Sequence, residues 1–187
     1  SFAEAWLALG MQELATGRLA QARQAADAAL KGDESVRVAA LVLAGKVALA
    51  DGRADDAIAA GTAALKVLAN SAAATLIVAD GDAMKGDLDL ALDAYQSAWG
   101  LDHQDPAPLV HASFACHKAS RDTSARAFGV KATQEFPDFA PGWSALGDAL
   151  AAQGEVALAR DAYRKALLVT GGAIDRGAVQ GKLSALK

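Results

Sequence analysis

The histidines and the single cysteine of this chain, His103, His111, Cys116 and His117, all fall between positions 103 and 117. No other stretch gathers side chains suited to metal binding or nucleophilic attack. Zinc needs ligands on one helical face at i and i+4, or paired across a short turn. His111 and Cys116 are five apart, and Cys116 and His117 diverge by about 100° on a helix. The same divergence argues against a Cys-His nucleophile pair, whose members must face each other. The expected reading is one buried thiol beside imidazoles that are exposed or line a groove.

Two further segments invite chemistry and fail on detail. Asp80-Gly81-Asp82 ahead of Gly86 suggests a calcium loop. Such a loop needs an oxygen ligand at its fifth position, glycine at the sixth and glutamate at the twelfth. Those positions hold Met84, Lys85 and Ala91. Gly171-Gly172 precedes a helical pattern, but the Lys-Ser or Lys-Thr of a phosphate loop is missing. There is no Ser-His-Asp arrangement, paired-acid motif or dinucleotide fingerprint, so no enzyme activity, cofactor or metal is expected. A formal net charge of -4, with no stripe of Lys and Arg, argues against a nucleic-acid partner.

The elements that would hold any site follow from periodicity. Turn sites recur at Gly17, Gly52, Gly86, Ser120 and Gly154, at spacings of 35, 34, 34 and 34. Five residues after each comes alanine (Ala22, Ala57, Ala91, Ala125, Ala159), and seven further on alanine again (Ala29, Ala64, Ala98, Ala132, Ala166). Small residues at both places allow two helices to pack closely, so the period reports a repeated helix pair. Roughly a quarter of the sequence is alanine. The prolines, at 106, 108, 137 and 141, all lie at unit boundaries.

The expected helices run over about 3 to 16, 19 to 31, 36 to 50, 54 to 69, 72 to 85, 88 to 100, 107 to 119, 123 to 135, 140 to 153, 156 to 170 and 173 to 186. Ser71, Asp105 and Asp122 occupy expected N-cap positions. In the last helix Val179, Leu183 and Leu186 fall on one side, which suits a cap. No apolar stretch is long enough to span a bilayer, and no cationic n-region precedes an apolar one. One cysteine forms no internal disulfide. Because the chain opens on Ser1 and is helical by pattern almost at once, it is expected to derive from something longer. A soluble protein is expected, with the cytoplasm favoured over the periplasm.

The fifth unit reads Trp143-x2-Leu146-Gly147, then Gly154, Ala159-x3-Tyr163 and Ala166; the first opens with Trp6-x2-Leu9-Gly10, and the third carries Tyr95. This resembles the tetratricopeptide repeat (TPR), with its W-x2-L-G-x2-Y, A-x3-F and late Pro, the last matched by Pro137. Departures include Glu13 and Leu150 at the Tyr position, Leu41 for Trp, and Gly61 and Gly129 for the later aromatic. The resemblance covers about residues 3 to 171. It implies an all-α fold, a right-handed TPR superhelix (α-α solenoid) of five helix-turn-helix repeats over about 3-37, 38-71, 72-105, 106-139 and 140-171. With a C-terminal capping helix at about 173-186, these form a single domain over 1-187.

The resemblance also implies a function: a non-catalytic protein-protein interaction module, an adaptor or assembly scaffold. In the family the first helix of each pair lines a concave groove. The corresponding positions here include Leu7, Met11, Val42, Lys46, Leu76, Asp80, Val110, Phe114, His117, Ser144 and Asp148. That row is mainly apolar, with isolated charges. A clamp for an acidic peptide tail needs several basic and amide donors, and Lys46 is the only basic residue in the row. Recognition of an extended backbone by an Asn ladder is equally disfavoured, since Asn70 is the only Asn. An apolar or helical segment of a partner protein is therefore the expected ligand. Alternatives are a self-associating homo-oligomeric scaffold and the substrate-positioning arm of a larger enzyme.

Overall fold

Each predicted turn is a left-handed helix stop. In the computed structural model, which describes residues 2–32 and 34–186, φ is +74° at Gly17, +74° at Gly52, +92° at Gly86, +58° at Ser120 and +77° at Gly154. The same pair of hydrogen bonds closes all five. At the first, Gly17 N–H donates to Leu14 O at 3.0 Å and Arg18 N–H to Glu13 O at 2.9 Å; at the fourth, Ser120 donates to His117 O at 2.9 Å and Arg121 to Cys116 O at 2.8 Å. This arrangement satisfies the orphan carbonyls of a helix end and needs one residue at positive φ. Glycine takes that conformation without a steric penalty, whereas Ser120 carries a Cβ there.

Between the turns lie eleven helices among the described residues: α1 (Phe2–Ala15), α2 (Leu19–Leu30), α3 (Arg37–Ala50), α4 (Ala54–Val67), α5 (Ala72–Lys85), α6 (Leu88–Leu101), α7 (Ala107–Lys118), α8 (Asp122–Glu135), α9 (Ala140–Ala152), α10 (Val156–Leu168) and α11 (Arg176–Ala185). A 3-10 turn, Glu34–Val36, leads into α3. The fold is all-α, a succession of helical hairpins, and the residues it describes contain no strand. The chain divides into two compact units, residues 1–102 and 103–187.

The first unit holds three hairpins, α1-α2, α3-α4 and α5-α6. In it α1, α3 and α5 contact one another along one layer more closely than α2, α4 and α6 do along the other. The first-helix layer is therefore the inner side. The second unit pairs α7 with α8 and α9 with α10, sets α7 against α9, and lays α11 on α10. The ten repeated alanines are all buried, none more than 1% exposed, which is what allows the helices to approach.

Close approach also explains the missing aromatics. A Cβ on Gly61 would lie 2.8 Å from Val78 Cγ2 and 3.0 Å from Ala74 O, and one on Gly129 would lie 3.0 Å from Leu146 Cα. In these two repeats the second helix sits directly against the first helix of the next repeat, which leaves no room for a side chain.

The helix ends depart from expectation in two places. Ser71 Oγ accepts from Ala74 N–H and Asp105 Oδ1 from Ala107 N–H, as expected of caps. Asp122, however, is already the first residue of α8, and its carboxylate meets His117 instead. α11 starts three residues later than expected, with Asp175 as its cap accepting from Ala178 N–H at 2.9 Å. The delay comes from the segment before it. Gly171 N–H donates to Asp138 O at 3.0 Å and Ala140 N–H to Gly171 O at 2.7 Å, so this loop is held as backbone against the entry to α9. A Cβ on Gly171 would overlap Asp138 O. That contact, and not an anion cradle, accounts for the glycine there.

Candidate functional site: the inner face of each unit

α11 lies in register with the repeats as the first helix of a sixth unit. Lys182 thus follows Asp148 by one period in the same groove position. Its ammonium lies 2.8 Å from both Asp148 oxygens, and Tyr163 OH donates to Asp148 Oδ1 at 2.6 Å. Asp148 is buried and Tyr163 nearly fully so. Burial, then the hydrogen bond and charge of Asp148, push the Tyr163 phenol well above its ordinary range, so the hydroxyl is a permanent donor. The third unit repeats half of this network, with Tyr95 OH donating to Asp80 Oδ1 at 2.8 Å.

The pairing follows the unit type. Where the second helix carries tyrosine, the groove position carries aspartate; where it carries Ala26, Gly61 or Gly129, the groove position is Met11, Lys46 or Phe114. The two groove acids are thus hydrogen-bond acceptors for their own hairpins. A sequence reading sees both residues and misses the pair, since they are fifteen positions apart on different helices. The repeated spacing is the signal that could have revealed it.

The remaining groove positions divide by burial. Leu7, Leu76, Val110 and Ser144 are buried, as is Asp148. Leu7 belongs to the core formed by the first two hairpins with Leu43 and Val47. Val42, Asp80 and His117 are half-buried, whereas Met11, Lys46 and Phe114 are exposed. Met84, at the end of α5, joins the exposed apolar groups of the first unit. Lys46 is an exposed cation on that inner layer.

The His/Cys cluster disperses on folding. Cys116 is completely buried, and burial pushes its thiol up, only partly offset by Arg121. His117 Nδ1 lies 2.8 Å from Asp122 Oδ1 across the α7-α8 turn, while His103 is exposed beyond α6. Among the described residues, no three His, Cys, Asp or Glu side chains converge to hold a metal ion. Asp80 and Asp82 lie within α5 and not in a loop. Burial and the neighbouring Asp87 raise the Asp82 carboxyl.

Successive helical hairpins with close-packed small residues, left-handed stops and an inner layer of first helices define a helical-repeat protein. Comparison with known sequences specifies which. The sequence profile described as Tetratricopeptide repeat matches residues 7–75 and 120–178, and the chain belongs to that family. No curated protein matches the chain. Among solved structures, a thermophilic TPR protein of Thermus thermophilus superposes with a TM-score of 0.84 at 19% identity, covering 98% of each chain. The MamA protein does so at 0.62 and 22% identity, covering 88% of this chain and 90% of its own. Pseudomonas aeruginosa pilF gives 0.72 at 14% identity, covering 98% of this chain and 88% of its own. At these identities the likeness is one of fold. TPR proteins are, as a class, protein-interaction modules and scaffolds, generally without catalytic activity. No described helix is long and apolar enough to cross a membrane.

Proposed function

We propose that the chain is a non-catalytic adaptor or scaffold that binds an apolar, helical segment of a partner protein on the inner faces of its units. The observation that supports this most is the set of inner-face side chains left over by folding. Met11 is 54% exposed, and Met84 and Phe114 are each 38% exposed. Flexible methionines suit a ligand whose exact shape is not matched in advance. Lys46 supplies one cation on the same layer as Met11 and Met84, so a partner segment with a single acid among aliphatics fits the first unit best. Asp80 and Asp148 contribute less, because each carboxylate already accepts a tyrosine hydroxyl.

Affinity capture followed by mass spectrometry supplies a partner, and isothermal titration then tests the face. Met11→Glu and Phe114→Glu place a carboxylate against an apolar ligand and should each weaken binding by roughly 2 kcal/mol. Both side chains are exposed, so the fold should survive; Leu76, being buried, is a poorer choice. Gln96→Glu on the outer helix α6 should leave affinity unchanged, and added salt should have little effect. Unaltered affinity in both inner-face variants, with helicity intact, would refute this reading.

A further inference from the structure

The second compact unit, residues 103–187, carries an apolar cleft on the stripe of α9 formed by Trp143, Leu146 and Leu150, apart from the inner-face stripe of Ser144 and Asp148. The cleft measures about 290 Å³, and Arg126, Leu158 and Lys165 are among the residues that wall it. All three of α8, α9 and α10 contribute, so it is complete within the repeats and does not depend on either end of the chain.

The equivalent place in the first compact unit, two repeats earlier, is filled and polar. There Ile58 stands where the second unit has Arg126, so close to α5 that a Cβ on Gly81 would lie 2.5 Å from its Cγ1. Thr75 and Ser97 take the places of Trp143 and Lys165, and each hydroxyl is bonded locally. Thr75 Oγ1 donates to Ser71 O at 3.0 Å and Ser97 Oγ to Asp93 O at 2.8 Å. Asp82 takes the place of Leu150. In the second unit Arg126 is drawn aside to Glu155, leaving the gap that isoleucine fills, and the lining has turned from hydroxyl and carboxyl to indole and leucine. Trp143 is fixed there by donation from Nε1 to Pro137 O at 2.7 Å, and Leu158 remains 49% exposed. An apolar cleft with a fixed wall is a preformed pocket.

Charge at the mouth indicates what enters. The two acids beside the cleft, Glu155 and Asp161, are paired with Arg126 and Arg164. Among the described residues no carboxylate pairs with Lys165, whose ammonium stands 4.2 Å from the centroid of the Trp143 ring. A cation held there repels a second cation and attracts an acid. The volume admits one or two side chains and not a whole helix, which is ~10 Å across. We infer that the cleft takes a single large aliphatic side chain of a partner protein, with an acidic residue next to it meeting Lys165. This surface lies on the outer side and does not depend on the inner-face reading.

Proton–nitrogen NMR of the full chain, titrated with a blocked Gly-Asp-Leu-Asp-Gly peptide, should shift the Trp143 indole N–H saturably, with a Kd of about 1 mM or tighter. The same peptide with lysines in place of the aspartates should bind at least about tenfold more weakly, and Lys165→Glu should reverse that preference. Arg126→Ile, which restores the filler found in the first unit, should abolish the response with helicity unchanged by circular dichroism. Lys165 is exposed, so its variant keeps the test open whatever Arg126→Ile does to stability. Met11→Glu, on the inner layer of the other unit, should leave the response unchanged. An indole signal that does not move, a lysine peptide that binds as well, or a full response in folded Arg126→Ile would overturn the inference.

Discussion

Lys182→Met should destabilise the protein by about 2 kcal/mol, more than expected for a half-exposed lysine. The Lys182 side chain is 44% exposed, but its partner Asp148 is only 8% exposed. At the observed 2.8 Å separation, two unit charges attract by ~6 kcal/mol at an effective dielectric constant of ~20 and by ~1.5 kcal/mol at ~80. The exposed lysine places the pair between those limits, and the cost of desolvating it offsets part of the attraction. Once the ammonium is gone, the carboxylate stays buried with only the Tyr163 hydroxyl to support it. Asp148→Asn should be milder, about 1 kcal/mol, because the amide oxygen still accepts from Tyr163 and Lys182 can return to water. The double variant should therefore cost less than the sum of the two single ones. Urea unfolding followed by far-UV circular dichroism measures all three. Additive effects, or a loss below about 0.5 kcal/mol for Lys182→Met, would show that the ammonium does not compensate the buried acid.

Three further outcomes follow from geometry already described. Ser120→Gly should stabilise by about 0.5 to 1 kcal/mol, since it relieves a side chain held at positive φ, while Gly154→Val should lower stability by at least about 1 kcal/mol; thermal melts of both variants check the pair. Gly147→Ala should cost about 1 to 3 kcal/mol in urea unfolding, because a Cβ there would lie 2.5 Å from the Tyr163 ring. Cys116 should resist alkylation in the native protein and react on unfolding. Its raised thiol pKa means that the folded state keeps a proton the unfolded chain has lost, so stability should decline as pH rises past the ordinary thiol range, and a Cys116→Ala variant should lose that decline.

The parts of the fold that repeat were legible in the sequence. A left-handed stop selects glycine, a close helix crossing selects alanine, and both recur in phase, so even Ser120 could be placed as a turn without a glycine to mark it. The helix limits were correspondingly near. What repetition does not encode was harder to read. The late start of α11 depends on backbone pairing between Gly171 and the loop at Asp138, a contact with no residue-type signature. Gly61 and Gly129 look like lost aromatics until the neighbouring helix is seen against them. The groove row was assigned from position in the unit, but position alone does not distinguish Leu7 and Val110, which complete the core, from Met11 and Phe114, which remain outside it.

The alternation of unit types has a consequence for changing the number of repeats. Gly61 and Gly129, Asp80 and Asp148, and Tyr95 and Tyr163 are each separated by 68 positions, twice the repeat length. The block that recurs is then two hairpins, one with a glycine crossing and one with a tyrosine–aspartate bond. Gaining or losing a single hairpin would set a glycine crossing against an unmatched neighbour, while each tyrosine would keep the aspartate of its own hairpin. Exchange in pairs preserves every local fit. Lengthening or shortening by whole pairs is therefore the change that disturbs the helix crossings least, and it is the natural increment for building a longer version by design.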